Sequence, residues 1–182
     1  MLHPEPPRRQ APGAADRPGA PALVRLPAVA VQRVSHVGVC VSCLERSLPF
    51  YRDLLGFREV GRLEMAGEPA ATLLELPAVK LRAAYLERDG TCLELLEYPA
   101  PGHVGQPVPR PMNALGLSHV SLRVADLAAL LPRVEAAGGR VLAHSRIAIP
   151  EARTAAVFVA DPDGTRIELV ESPGDPARKP GA

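Results

Sequence analysis

The stretch Asp89-Gly90-Thr91-Cys92-Leu93-Glu94-Leu95-Leu96-Glu97 returns later in the chain as Asp163-Gly164-Thr165-Arg166-Ile167-Glu168-Leu169-Val170-Glu171, at an offset of 74 residues (168 minus 94). A second match sets Ser35-His36-Val37 over Ser118-His119-Val120 at an offset of 83 (119 minus 36). That offset also carries Val41 onto Val124, Leu44 onto Leu127 and Leu48-Pro49 onto Leu131-Pro132. The two matches fall in the same order, so the chain is an internal duplication. Its second half is shorter inside by nine residues (83 minus 74). A repeat of this length is one supersecondary unit used twice, and it decides the architecture before any single residue does.

Each half opens with a short apolar, β-branched stretch, 34–41 and 117–124, that reads as a strand. A helix follows each. The first covers 44–55 and stops at Gly56; the second covers 127–137 and stops at Gly138-Gly139, with Asp126 as N-cap. Pro49 and Pro132 must sit in the first turns of these helices or bend them. Strand-like stretches come next, at 57–65, 79–87 and 91–98, then at 140–147, 154–160 and 165–171. The predicted fold is α+β, two tandem βαβββ modules. The domain spans 31–172, with module one at 34–98, a Pro/Gly-rich linker at 99–113 and module two at 114–171. The proline-rich arm 1–30 and the tail 173–182 are predicted to be disordered.

Composition narrows the function classes. The chain has 182 residues, 47% of them apolar, and 21 Lys and Arg balance 20 Asp and Glu. With no basic excess and only 3% aromatic residues, nucleic acid is not an expected partner. No apolar run reaches the roughly 20 residues that cross a bilayer, and no signal-peptide core is present. Cys40, Cys43 and Cys92 are an odd number, which fits reduced thiols in the cytoplasm rather than disulfides. The Cys40-x-x-Cys43 pair reads as packing.

In a strand alternate side chains face opposite ways, so His36 shares a face with Gly38 and Cys40 while Val37, Val39 and Val41 face the core. His119 repeats this. Glu94 lies between Leu93 and Leu95, and Glu168 between Ile167 and Leu169. A carboxylate in such company costs several kcal/mol unless a charge compensates it. A divalent ion held by His36, Glu94, His119 and Glu168 supplies that charge, and two imidazoles with two carboxylates suit Zn²⁺, Ni²⁺, Co²⁺ or Mn²⁺. Glu97 and Glu171 also match across the repeat, but strand alternation assigns them to a solvated face. His3, His103 and His144 are given no role.

On these motifs, and on Ser47-Leu48-Pro49-Phe50-Tyr51-Arg52-Asp53-Leu54-Leu55-Gly56-Phe57 and Asp161-Pro162-Asp163-Gly164, residues 34–171 resemble the vicinal oxygen chelate superfamily. It includes glyoxalase I, methylmalonyl-CoA epimerase, extradiol dioxygenases and fosfomycin or bleomycin resistance proteins. The resemblance implies curved mixed sheets around a central metal cavity, a small-molecule substrate, and a homodimer as an allowed assembly. The His, Glu, His, Glu quartet is similar to glyoxalase I; the epimerase looks like His, Gln, His, Glu, and dioxygenases use two His and one carboxylate around Fe²⁺. The expected activity is that of a metal-dependent lyase or isomerase, in which a proton next to a carbonyl is abstracted and the enediolate stabilised by the metal. Glu168 is the expected base, with Glu94 as alternative base or reprotonating acid. The alternatives are an Fe²⁺ extradiol-type dioxygenase and an antibiotic-binding resistance protein.

Overall fold

The computed structural model describes residues 31–174, so the predicted arm 1–30 and most of the tail 173–182 lie outside the described residues. The elements, in chain order, are β1 (Val37–Cys40), α1 (Leu44–Pro49), β2 (Arg58–Ala66), α2 (Glu68–Leu74), β3 (Lys80–Arg88), β4 (Thr91–Ala100), β5 (Val120–Arg123), α3 (Leu127–Ala136), β6 (Arg140–Val141), β7 (Ile147–Ile149), β8 (Thr154–Ala160) and β9 (Arg166–Glu171). They form two sheets, ordered β1-β4-β3-β2 and β5-β9-β8-β6, with β7 also paired to β8. Both sheets are mixed. The first strand of each module runs parallel to its last, β1 to β4 and β5 to β9, and the other pairings are antiparallel.

The α+β duplication expected from the sequence is the observed fold, with three local differences. Residues 66–78, given no element from the sequence, hold the short helix α2. The single strand expected over 140–147 is broken by a 3₁₀ turn at Ala143–Ser145 into β6 and β7. The helix expected over 44–55 is α-helical only to Pro49, then widens into a π-helix over Phe50–Leu54. Proline has no N–H for the α-helical ladder, and the chain re-forms with Leu55 N–H donating to the Phe50 carbonyl at 3.1 Å. Pro132 lies inside α3, which stays α-helical to Ala136. Both helices stop where glycine was expected to stop them: Gly56 and Gly138 have φ of 73° and 81°, a region that costs other residues strain.

One apolar core serves both modules. Val39, Leu93 and Leu95 from the first sheet, with Val41 just past β1, meet Val157, Val159, Ile167 and Leu169 from the second in one cluster with Leu44, Leu48, Phe50, Leu127 and Val134 of the helical segments. Burying each such Leu or Phe contributes roughly 1.5–3 kcal/mol. The modules are also joined by polar contacts: the Tyr51 hydroxyl donates to Asp161 at 2.8 Å inside the core, and Ser42 N–H donates to Asp163 at 2.9 Å. Asp161 in turn accepts from the Asp163 and Thr165 amides, which shapes the Asp-Pro-Asp-Gly turn.

Glu97 and Glu171 are not the solvated pair expected from strand alternation. Glu97 accepts from the Leu44 amide at 3.3 Å and from Arg82 at 3.1 Å, and Glu171 accepts from the Leu127 amide at 2.8 Å. Each therefore satisfies the first free N–H of its own module's helix. The cysteines are free, but Cys40 is exposed rather than packed.

Candidate metal centre

β1 and β4 lie side by side with Gly38 opposite Glu94, and β5 and β9 with Ser121 opposite Glu168. His36 and His119 stand one residue ahead of β1 and β5, so each ring reaches the carboxylate of the neighbouring strand. His36 Nε2 is 3.0 Å from Glu94 Oε2, and His119 Nε2 is 3.6 Å from Glu168 Oε2. Donors bound at roughly 2.0–2.2 Å to one ion are separated by about 3 to 3.5 Å, so the His36–Glu94 pair has the span that two ligands of one metal require and the His119–Glu168 pair lies just beyond it.

The far side of each imidazole is held as well. Ser35 Oγ lies 3.2 Å from His36 Nδ1, and Ser118 Oγ lies 2.9 Å from His119 Nδ1. A ligating histidine whose Nε2 lone pair is given to a metal carries its proton on Nδ1, and the serine hydroxyl is placed to accept that proton's hydrogen bond when a metal is bound. The donor chemistry and geometry of the pairs therefore fit a divalent ion.

Aromatic rings pack on both histidines: Tyr85 edge-on to His36 at 5.7 Å and Phe158 edge-on to His119 at 5.3 Å. The Glu94 carboxylate beside the Tyr85 hydroxyl, with a lesser contribution from burial, pushes the phenol up to about 12. Ser121 donates to Glu168 at 2.7 Å. None of Tyr85, Phe158 or Ser121 was singled out from the sequence. Their signal is cross-strand register, with Tyr85 opposite Glu94 and Phe158 opposite Glu168, which the linear sequence does not display.

The structure brings His36 to Glu94 and His119 to Glu168, but within one chain it does not gather all four. Among the described residues no three His, Cys, Asp or Glu side chains lie close enough to share an ion. Each module carries half of the expected quartet.

Residues 33–169 match the family model of the Glyoxalase/Bleomycin resistance protein/Dioxygenase superfamily. The chain belongs to this superfamily. Among relatives of this superfamily member, a lactoylglutathione lyase of Haemophilus influenzae is 28% identical over 141 residues, covering 77% of this chain and 93% of the relative. A glyoxalase family protein from Bacillus cereus superposes with a TM-score of 0.71 at 20% identity, covering 82% of this chain and 99% of that one. A fosfomycin resistance protein from Listeria monocytogenes superposes with a TM-score of 0.51 at 13% identity, covering 81% and 98%. These two structural likenesses show the shared fold. No helix among the described residues is long and apolar enough to cross a membrane.

Proposed function

We propose that this superfamily member is a metal-dependent lyase or isomerase of glyoxalase type, working on a small molecule with an acidic C–H beside a carbonyl. The observation that carries this is the repeated unit of Ser, His and Glu, in which a serine hydroxyl lies within hydrogen-bond distance of Nδ1 and a carboxylate stands 3.0 or 3.6 Å from Nε2. The similarity to a lactoylglutathione lyase supports the same reading. His36, Glu94, His119 and Glu168 would hold one Zn²⁺, Ni²⁺, Co²⁺ or Mn²⁺ ion, whose charge supplies stabilisation of an enediolate when bound.

The two half-sites meet when two copies of the chain associate, the His36–Glu94 pair of one facing the His119–Glu168 pair of its partner. Both β1 and β5 are edge strands with one free side, and Leu115 and Leu117, just before His119, are 96% and 75% exposed. Apolar surface of that kind beside a sheet edge supports pairing with a second copy.

Glu168 is the base in this reading. Ser121 orients its carboxylate, and it is less buried than Glu94, which lies opposite Tyr85 across the sheet. Glu94 is the group that returns the proton. The three free cysteines support a cytoplasmic setting.

The test is solvent deuterium exchange into the hemithioacetal of methylglyoxal and glutathione, and into acyl-CoA and 2-oxo compounds, using metal-loaded protein. Exchange that disappears in Glu168→Gln is expected; no exchange with any of these compounds, with metal bound, overturns the reading.

A further inference from the structure

The two half-sites differ in charge. At the repeat offsets of 74 and 83, Arg166 stands where the first module has Cys92, Ser121 where it has Gly38, and Arg123 where it has Cys40. Arg166 lies two residues before Glu168 on β9, so both side chains leave the same face of the sheet, roughly 6.6 Å apart along the strand at about 3.3 Å per residue.

The Arg166 guanidinium sits over the Phe158 ring, 5.2 Å from its centroid, on the same ring that packs against His119. One of its terminal nitrogens donates to the Arg110 carbonyl at 2.9 Å. Its Nε is buried and has no hydrogen-bond partner among the described residues. Like Arg110, Arg123, Arg133, Arg140, Arg146 and Arg153, Arg166 pairs with no carboxylate among the described residues, but of these it is the one whose Nε is buried without a partner. Arginine keeps its charge at every working pH, so this is a permanent cation beside the half-site without a counter-ion.

We infer that Arg166 binds a carboxylate of the substrate, one that lies beyond the atoms held at the His119–Glu168 pair. The ligand class is a carbonyl compound with a second, anionic end. A guanidinium fixed over an aromatic ring offers planar donors to a carboxylate at little entropic cost. The duplication makes the site directional, because the half-site built on Cys92 offers no such charge. The inference rests on reading the His119–Glu168 pair as part of the reaction site, but its test does not require turnover.

Full-length protein carrying ¹⁵N-arginine, with Zn²⁺ present, is titrated with 2-oxoglutarate and with 2-oxoglutaramate, which replaces the distal carboxylate by a carboxamide. The Arg166 side-chain resonance, assigned by its absence in Arg166→Gln, is expected to shift with 2-oxoglutarate, and the carboxylate form is expected to bind about tenfold or more tightly than the amide. In Arg166→Gln the two compounds bind within about twofold of each other, while Arg166→Lys keeps part of the preference. An unshifted Arg166 resonance, equal binding of the two compounds by the wild type, or equal weakening of both by either substitution would overturn the inference, including the last case as the mark of a linker anchor. Failure of the lyase reading shows separately, as absent deuterium exchange.

Discussion

The Glu171 carboxylate accepts from the Leu127 amide at 2.8 Å, and 74 residues earlier (171 minus 97) Glu97 does the same for Leu44. The last strand of each module thus holds the start of that module's helix, next to the carboxylate that faces the opposite way toward the half-site. In α3, Asp126 adds a second acceptor, bonding the Ala129 amide at 2.9 Å.

Glu171→Ala is expected to lose about 1 kcal/mol of stability, and Asp126→Ala a similar amount, since both leave a helix amide unsatisfied. Glu171→Gln keeps an acceptor and should lose less. Urea unfolding of the three variants checks this, and an unchanged midpoint for Glu171→Ala would count against the capping role.

Tyr51→Phe should cost about 1–3 kcal/mol, because it strips a hydrogen bond from the buried Asp161 carboxyl without changing the volume of the core. Circular-dichroism melts against wild type provide the measurement. A loss confined to a few tenths of a kcal/mol would mean that another donor replaces the hydroxyl.

Burial holds the Asp161 carboxyl above the usual carboxylate range, although Tyr51 and two amides donate to it. A carboxyl that binds its proton more tightly when folded stabilises the fold below its unfolded pKa of about 3.9, and that contribution is lost as pH rises through the folded value. Glu45, which a hydrogen bond from Arg82 lowers to about 2, acts in the opposite sense. Comparison with Asp161→Asn isolates the one group: the stability of wild type relative to this variant should fall as pH rises from about 4 toward neutrality. A relative stability that is flat or rising over that window contradicts the assignment.

Gly139→Ala is expected to destabilise by about 1–3 kcal/mol. A Cβ there would stand 2.5 Å from the Phe50 ring and 2.8 Å from the Ala160 carbonyl oxygen. The second of these is backbone and cannot swing aside, so thermal unfolding should show a clear drop; a neutral substitution would mean that the two modules can separate slightly.

His36→Ala and His119→Ala should each abolish tight metal binding. Mixed in equal amounts after unfolding and refolding, they should recover about a quarter of the wild-type sites, because half of the random dimers carry one intact pair from each copy facing the other. Metal content by atomic emission is the measurement. Full loss in the mixture would show that the pairs do not combine between copies.

Duplication, fold class and the identity of the two His–Glu pairs were legible in the sequence because they depend on local patterns: strand alternation, helix stops at Gly56 and Gly138, and matched residues at two fixed offsets. The breaks at Pro49 and at Ala143–Ser145 were not, since which hydrogen bonds replace a lost ladder depends on what packs beyond it. Glu97 and Glu171 show the limit of alternation, which told which face they take but not that a helix begins there. Arg166 sat inside the repeated motif, yet its meaning needed Phe158 across the sheet and Arg110 in the linker. What the sequence determined by itself was which side chains each module contributes, because the repeat encodes them twice. Only tertiary structure decided that the two pairs stand apart in one chain: the modules bury their helices and inner sheet faces in a shared core, and the half-sites are left on the opposite faces.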